Sequence, residues 1–387
     1  MPQNYDSNLN STILDATYKD ESPLKTVEKI KKILSSYGIQ TTENWGESGV
    51  EYCHSLRVNV VNTKFGVNGK GLTKEFALAS AYGELMERMQ LGLFSDSSVQ
   101  KIGHYSEIVS QDEMIDAQEL YGELPHWYEF LATKASQLDN ETKSGKDIIS
   151  TYANAEGKVA AVPFFNIATG KKVRIPRELR AVVCGSNGGA AGNTMEEAIV
   201  QAISEIFERN HHLRISKECI SLPNIPDDVL KEFKIAYSII SNLRNKGVDI
   251  FIKDCSLVTR FPVVCVCAID KKTGRYHTHF GAYPILEIAI ERALTETFQG
   301  RNIEKFAQNE DFIYNASDVL SYRNIYMDLK IGSYMKTLDF FVGECKYPYN
   351  INVGFSGKNN QELLSQIIEY LTNTSLLNFP AKLGYTA

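Results

Sequence analysis

The sequence predicts an α+β fold in which helices lie against a mostly antiparallel sheet. Three observations carry that prediction. Short apolar runs of strand length, such as Pro262-Val-Val-Cys-Val-Cys-Ala-Ile269, alternate with longer helix-forming runs. Two of the helix-forming runs end in one pattern, Glu-x-x-Glu-Arg, as Glu84-Leu85-Met86-Glu87-Arg88 and Glu205-Ile206-Phe207-Glu208-Arg209. With 387 residues and 43% hydrophobic content, the chain can bury a large core as one elaborate domain or two.

Taken in order, residues 1–15 are polar and expected to be disordered. A helix is predicted from Pro23 to Tyr37, a strand from Leu56 to Thr63, and then the first acidic helix. The stretch from about 95 to 150 mixes aromatic, Ser, Asp and Lys residues and reads as an insertion over the core, with one weak helix near Leu131. Strands follow at Val159 to Ile167, Ala181 to Cys184, Val248 to Lys253 and Val263 to Ile269, with the second acidic helix among them. A helix from Asn360 to Thr372 is the last element.

The acidic helices are unusual in where the acid falls. At about 100° per residue, Ser80, Glu84, Glu87 and Arg88 share one face, and so do Glu197, Gln201, Glu205, Glu208 and Arg209. The second helix does not need that stripe to be amphipathic, because Ala198, Ile199, Ala202, Ile203, Ile206 and Phe207 already supply an apolar face. The two runs align beyond the pentapeptide: Gly71, Thr73, Glu75, Ala77 and Ala81 match Gly192, Thr194, Glu196, Ala198 and Ala202. A weaker third copy, in which Arg292, Glu296 and Gln299 share a face, follows the helix-entry signal Ala282-Tyr283-Pro284. The spacing is too long for a solenoid, so the copies are expected to converge on one centre.

Clustered carboxylates repel and are costly to desolvate, so Glu84, Glu87, Glu205, Glu208 and Glu296 gathered together call for cations. Hard oxygen donors select Mg²⁺, which shares its shell with water and phosphate, and Arg88, Arg209 and Arg292 would hold phosphate oxygens. The predicted ligand is a Mg-nucleotide. For a single Glu-x-x-Glu-Arg a solvated helix face laced by Glu–Arg pairs is the better reading; two copies and a partial third reverse it. No Walker-type loop competes, and Gly185-Ser-Asn-Gly188-Gly189-Ala-Ala-Gly192-Asn193-Thr194 lacks the P-loop lysine. Asn193 there is equally suited to a ligand contact and to a helix cap.

These residues resemble the YcaO-domain family of ATP-dependent enzymes that modify peptide backbone amides. Gly69-Lys70-Gly71 through Ser80, Glu84, Glu87 and Arg88 fits its first element. Ser186-Asn-Gly, Gly192-Asn193-Thr194, Glu197, Gln201, Glu205, Glu208 and Arg209 fit the second, and Gly281-Ala-Tyr-Pro284 through Arg292 to Gln299-Gly-Arg301 fits the third. The chain is most similar to the stand-alone type linked to ribosomal-protein methylthiolation. The resemblance implies a YcaO domain over 16–387, with ATP and Mg²⁺ as cofactors. It assigns Lys19, Thr26, Ser80, Arg88, Asn193, Glu197, Gln201, Arg209 and Arg292 to the nucleotide, and Glu84, Glu87, Glu205, Glu208 and Glu296 to Mg²⁺.

The implied reaction is O-phosphorylation of a backbone amide of a peptide or ribosomal protein, leading to a thioamide, azoline or related product, or assisting methylthiolation. A partner protein presenting substrate or sulfur, and a homodimer, are implied too; no general base is assigned. Two departures stand out: Ala190 replaces the family's usual Ser, and the chain stops at Ala387 where family members continue past the region resembling Ala381–Tyr385. They favour the alternative reading, a non-catalytic ATP-binding accessory protein.

A net charge of −6 without a basic stripe argues against nucleic acid. With neither a signal peptide nor an apolar run of about 18 residues, the chain is expected to be cytoplasmic and off the membrane. Seven scattered cysteines, Cys53, Cys184, Cys219, Cys255, Cys265, Cys267 and Cys345, read as thiols in a reducing compartment. His211-His212, following the Arg209 helix, and His277-Thr-His279 on a strand lack zinc-site spacing.

Overall fold

A computed structural model describes residues 18–92, 102–109, 112–139, 141–167, 169–183, 185–218, 220–272, 276–303, 345, 347–350 and 352–374. Residues 1–15, 95–101, Cys184, Cys219 and the Ala381–Tyr385 stretch lie outside the described residues. The expected helices and antiparallel sheet are present, and among the described residues the strands are divided into three three-stranded antiparallel sheets.

Helix α1 (Pro23–Ser36) opens on its proline and buries Val27, Ile30 and Leu34, a stripe of helical period. The first sheet joins β1 (Thr41–Gly46), β2 (His54–Val60) and β3 (Gly66–Gly71). In β2, Leu56, Val58 and Val60 point into the core while Arg57 faces out and donates to Asn59 and Asn68, as the pleat demands. Helix α2 (Lys74–Gln90), N-capped by Thr73, lies close on β3: a Cβ on Gly69 would sit 2.2 Å from the Ala77 carbonyl oxygen.

The same plan recurs further along. β7 (Val248–Asp254), β8 (Val263–Asp270) and β9 (Tyr276–Ala282) form an antiparallel sheet, and α11 (Leu286–Thr297) lies on it. Gly281 meets Ala289 and Ala293 of α11 as Gly69 meets Ala77 and Ala81 of α2, at the same sequence offsets. Strand β8 is central, and its residues 263–268 are all buried, which accounts for their unbroken apolar run.

Between the two units in sequence comes a third sheet of β4 (Glu113–Asp116), β5 (Lys158–Asn166) and β6 (Lys171–Pro176). Helices α3 (Tyr105–Ile108), α4 (Ala117–Glu123), α5 (Pro125–Asp139) and α6 (Gly145–Ser150) occupy the region where a single weak helix was expected. Trp127, Tyr128, Ile149, Val162 and Phe164 give the module its own core, so β4 belongs structurally with β5 and β6.

A second correction concerns Ala181 to Cys184. The strand expected there is the end of a helix, α7 (Arg177–Val183). Arg180, 4% exposed, donates to the carbonyls of Leu91 at 2.9 Å and Gly185 at 3.2 Å, fastening α7 to the chain just past α2. That tertiary bond outweighs the β preference of the valines.

Helix α8 (Met195–Glu218) runs 24 residues, so His211 and His212 lie within it rather than after it. It packs against β9, β8 and α12 (Asn360–Asn373), while α9 (Asp227–Leu230) and α10 (Lys234–Asn245) complete the large core around β7–β9. Among the described residues, no helix is long and apolar enough to cross a membrane.

Candidate functional site

The three acidic helices line one cavity of about 1150 Å³. All fourteen residues expected to hold nucleotide or metal line it. Ser80, Glu84, Glu87 and Arg88 come from α2; Glu197, Gln201, Glu205, Glu208 and Arg209 from α8; Arg292 and Glu296 from α11; Asn193 precedes α8; Lys19 comes from the N-terminal segment and Thr26 from the first turn of α1.

At the ends of α2 and α8 the pentapeptides adopt matching geometries. Arg88 lies 3.2 Å from Glu84 and 3.8 Å from Glu87, and Arg209 lies 3.6 Å from Glu205 and 3.9 Å from Glu208. Burial pushes the Glu87 carboxyl up to about 8, and the charge of Glu205 on the facing helix pushes the same way. Glu205 is also raised, chiefly by burial, although the Gly188 N–H donates to it at 3.0 Å. Glu296 of α11 does not pair with Arg292 of its own helix; it pairs with Lys70 of β3. Burial holds Lys70 down to about 8, with the Arg292 charge adding to the effect. Arg292 in turn donates to the Gln201 side chain of α8.

Further from the acids, the N-terminal segment closes over α8. Glu197, 4% exposed, accepts from the Lys19 ammonium at 3.0 Å, from the Asp20 N–H at 3.1 Å and from the Asn193 side chain at 3.2 Å. Thr26 donates to Asn193 at 3.0 Å. Thr194 takes the capping role, accepting from the Glu197 N–H at 3.2 Å, which leaves the Asn193 side chain to the cavity wall. Tyr18 meets Tyr283 edge-on at 5.5 Å, and the segment is anchored by Asn360 of α12, which donates to the Tyr18 carbonyl.

Does this donor set suit Mg²⁺? It is all oxygen, and burial, with repulsion between Glu87 and Glu205 and between Glu205 and Glu208 added, makes the ionised acids costly. A divalent cation relieves that repulsion. The buried Nε of Arg209 has no hydrogen-bond partner among the described residues and offers a donor to an anion. Among those residues no three His, Cys, Asp or Glu side chains are already drawn to coordinating distance, so the glutamates must turn from their arginines toward an ion. The residues fit the group.

Sequence reasoning singles out neither Lys70, Glu291, Tyr18 nor Tyr283 as site residues, yet all line the cavity. Glu291 is 3% exposed, with one carboxylate oxygen unpartnered among the described residues and its carboxyl pushed up to about 8 by burial. Lys70 lies within the Gly69-Lys70-Gly71 motif, so its position is visible in the sequence though its partner is not. Elsewhere, Cys53, Cys255, Cys265 and Cys267 are buried free thiols and Cys345 is exposed.

Comparison with known proteins gives the chain's family and fold. A family model described as "YcaO cyclodehydratase, ATP-ad Mg2+-binding" matches residues 68–375. The ribosomal protein S12 methylthiotransferase accessory factor YcaO of Escherichia coli is 29% identical over 356 residues, covering 89% of this chain but only 59% of that protein. Among solved structures, a heterocyclase in complex with substrate and cofactor superposes with a TM-score of 0.64 at 18% identity, covering 92% of this chain and 50% of that one. YcaO from Methanopyrus kandleri bound with AMPPCP and Mg²⁺ superposes at 0.53 with 16% identity, covering 92% and 85%. Those two likenesses speak to the fold. The chain belongs to the YcaO family, whose cofactors are ATP and Mg²⁺.

Proposed function

We propose that the cavity binds Mg-ATP and that the protein uses it to activate a backbone amide of a peptide or ribosomal protein by O-phosphorylation. One observation carries the reading: five carboxylates and three arginines from three separate helices converge on one cavity. Glu84, Glu87, Glu205, Glu208 and Glu296 would hold the metal. Arg88, Arg209 and Arg292, with Lys19, would hold phosphate oxygens, and Thr26, Ser80, Asn193, Glu197 and Gln201 the rest of the nucleotide.

Bound ATP supplies the phosphoryl group that converts the amide oxygen into a leaving group once a nucleophile has added to the carbon. The chain's own residues position and neutralise charge, as phosphoryl transfer requires. The nucleophile, sulfide or a Cys, Ser or Thr side chain, comes from the substrate or a sulfur donor, and phosphate leaves. Its buried free thiols suit a reducing cytoplasm.

The similarity to a methylthiotransferase accessory factor supports a second reading, in which ATP is bound but a partner enzyme does the chemistry. Calorimetry with Mg-ATP on the wild type and on Glu84→Ala and Glu205→Ala tests the site. Each variant is expected to weaken binding by roughly tenfold or more, the loss of one charge-assisted contact. Equal affinity in well-folded variants would remove the carboxylates from the site. Phosphate release with and without candidate peptides then separates enzyme from accessory.

A further inference from the structure

One charged group in the cavity has no role in Mg-ATP binding as proposed. Arg301 follows α11 by about one turn, its backbone N–H bonded to the Phe298 carbonyl at 3.2 Å, and its side chain lines the cavity. Its guanidinium donates through Nη1 to His279 Nε2 at 3.0 Å and, weakly, to the Thr297 carbonyl at 3.5 Å. Neither partner is an acid. Among the described residues Arg301 has no carboxylate at ion-pair distance, whereas Arg88 and Arg209 each face two glutamates.

The histidine matters because of what it does not do. An arginine can only donate, so Nε2 of His279 must offer its lone pair, and the proton of the neutral ring sits on Nδ1. That Nδ1 is buried and has no partner among the described residues. His279, on β9, is 1% exposed; burial holds its pKa well below the ordinary value, and the neighbouring charges of Arg301, His277 and Lys70 act in the same direction. A neutral imidazole thus orients the guanidinium without cancelling its charge. Burial of Arg301 works against that charge, and Nε and Nη2 are left to an incoming anion.

Lys70 locates this pair within the cavity. It contributes to the field on His279, it pairs with Glu296, and it feels the charges of Glu208 and Glu84. Arg301 therefore lies on the same side of the cavity as the carboxylates Glu296, Glu208 and Glu84 that act on Lys70.

We infer that Arg301, aimed by His279, holds an anionic oxygen of the terminal phosphoryl group and so distinguishes a nucleoside triphosphate from a diphosphate. The inference rests on the proposed binding of a Mg-nucleotide. A guanidinium presenting two free N–H edges suits a phosphoryl group with several equivalent oxygens. His279 is a positioning residue, acting through Arg301.

The test is calorimetric affinity, with Mg²⁺, for a non-hydrolysable ATP analogue and for ADP. Arg301→Gln is expected to weaken the triphosphate roughly tenfold to a hundredfold, the loss of one charge-assisted pair, and ADP by less than about twofold. His279→Leu should shift the ratio the same way by less, while His279→Gln, whose amide oxygen still accepts, should restore it. A merely structural role would move both ligands together. Intact ADP binding serves as the check on folding, and Arg301→Lys, which keeps a point charge but not the fork, carries the test if the glutamine variant does not fold. Wild type that binds neither nucleotide overturns the proposed function and this inference alike. Normal binding with an unaltered triphosphate-to-diphosphate ratio in the variants overturns this inference alone.

Discussion

The ends of α2 and α8 are built alike, and the corresponding part of α11 is not. In the first two, each arginine reaches back to glutamates one turn or one residue away on its own helix, at 3.2–3.9 Å. In α11 the acid, Glu296, pairs with Lys70 of β3, and the arginine, Arg292, reaches Gln201 of α8. Intrahelical pairs of this kind are formed by sequence spacing alone and contribute only tenths of a kcal/mol. The α11 contacts exist only once three parts of the chain are assembled. Two copies supply charge, and the third stitches the copies into one cavity.

What the α2 and α11 units share is the glycine beneath the helix, and altering it gives the largest expected effect. Added Cβ atoms at Gly69 and Gly281 would lie 2.2 Å from the Ala77 carbonyl oxygen and 2.6 Å from that of Ala289, both backbone atoms that cannot swing aside. Gly69→Ala and Gly281→Ala are each expected to cost about 3 kcal/mol or more, by forcing helix from sheet. Gly83→Ala on α2, which meets nothing within 4 Å, should stabilise by about 0.5–1 kcal/mol. Thermal unfolding of the three variants checks the contrast. A mild effect at Gly281 with a severe one at Gly69 would break the equivalence of the two units.

These glycines also show how far the sequence could be read. The acidic helices were legible because period 3.6 puts Glu84 beside Arg88 and Glu205 beside Arg209 whatever else the chain does. Strand β3 was not: Gly66-Val-Asn-Gly-Lys-Gly71 carries no predicted element, and its glycines make sense only against the alanines of a helix packed on them. The valines of α7 read as a strand because nothing local reveals that Arg180 will reach Leu91. The roles of Lys70 and the Arg301–His279 pair were hidden for the same reason, since a lysine between glycines or an Arg–His contact across 22 residues carries no periodicity.

A metal-free titration sharpens the comparison at the acidic end. Glu87, raised to about 8 by burial and by Glu205, lies above its unfolded value of roughly 4.3. Its neutral form therefore stabilises the fold fully below about that unfolded value, and the contribution is lost as pH rises through about 8. In the presence of a chelator, wild type should lose on the order of 2 kcal/mol more than Glu87→Gln between pH 5 and pH 8.5. Mg-nucleotide should recover that loss in the wild type, because the cation favours the ionised acid. Parallel pH profiles of melting temperature for the two proteins would show that neither burial nor Glu205 raises Glu87.

The smallest effect distinguishes α2 from α8 at their other ends. Thr73 caps α2 by accepting from the Phe76 N–H at 3.3 Å, and its loss in Thr73→Ala is expected to cost about 1 kcal/mol. Thr194 caps α8 in the same way, but its hydroxyl also donates to Asp20 of the N-terminal segment, which reaches Glu197 through its own N–H and accepts from Asn360 of α12. Thr194→Ala should therefore cost about 0.5–1 kcal/mol more than Thr73→Ala, the worth of one further hydrogen bond. Only the Thr194 variant should speed proteolysis around Lys19, because the segment loses one of its ties to α8. Equal destabilisation and equal cleavage would mean that Glu197 and Asn360 hold the segment unaided, and that the two helices differ at their acidic ends alone.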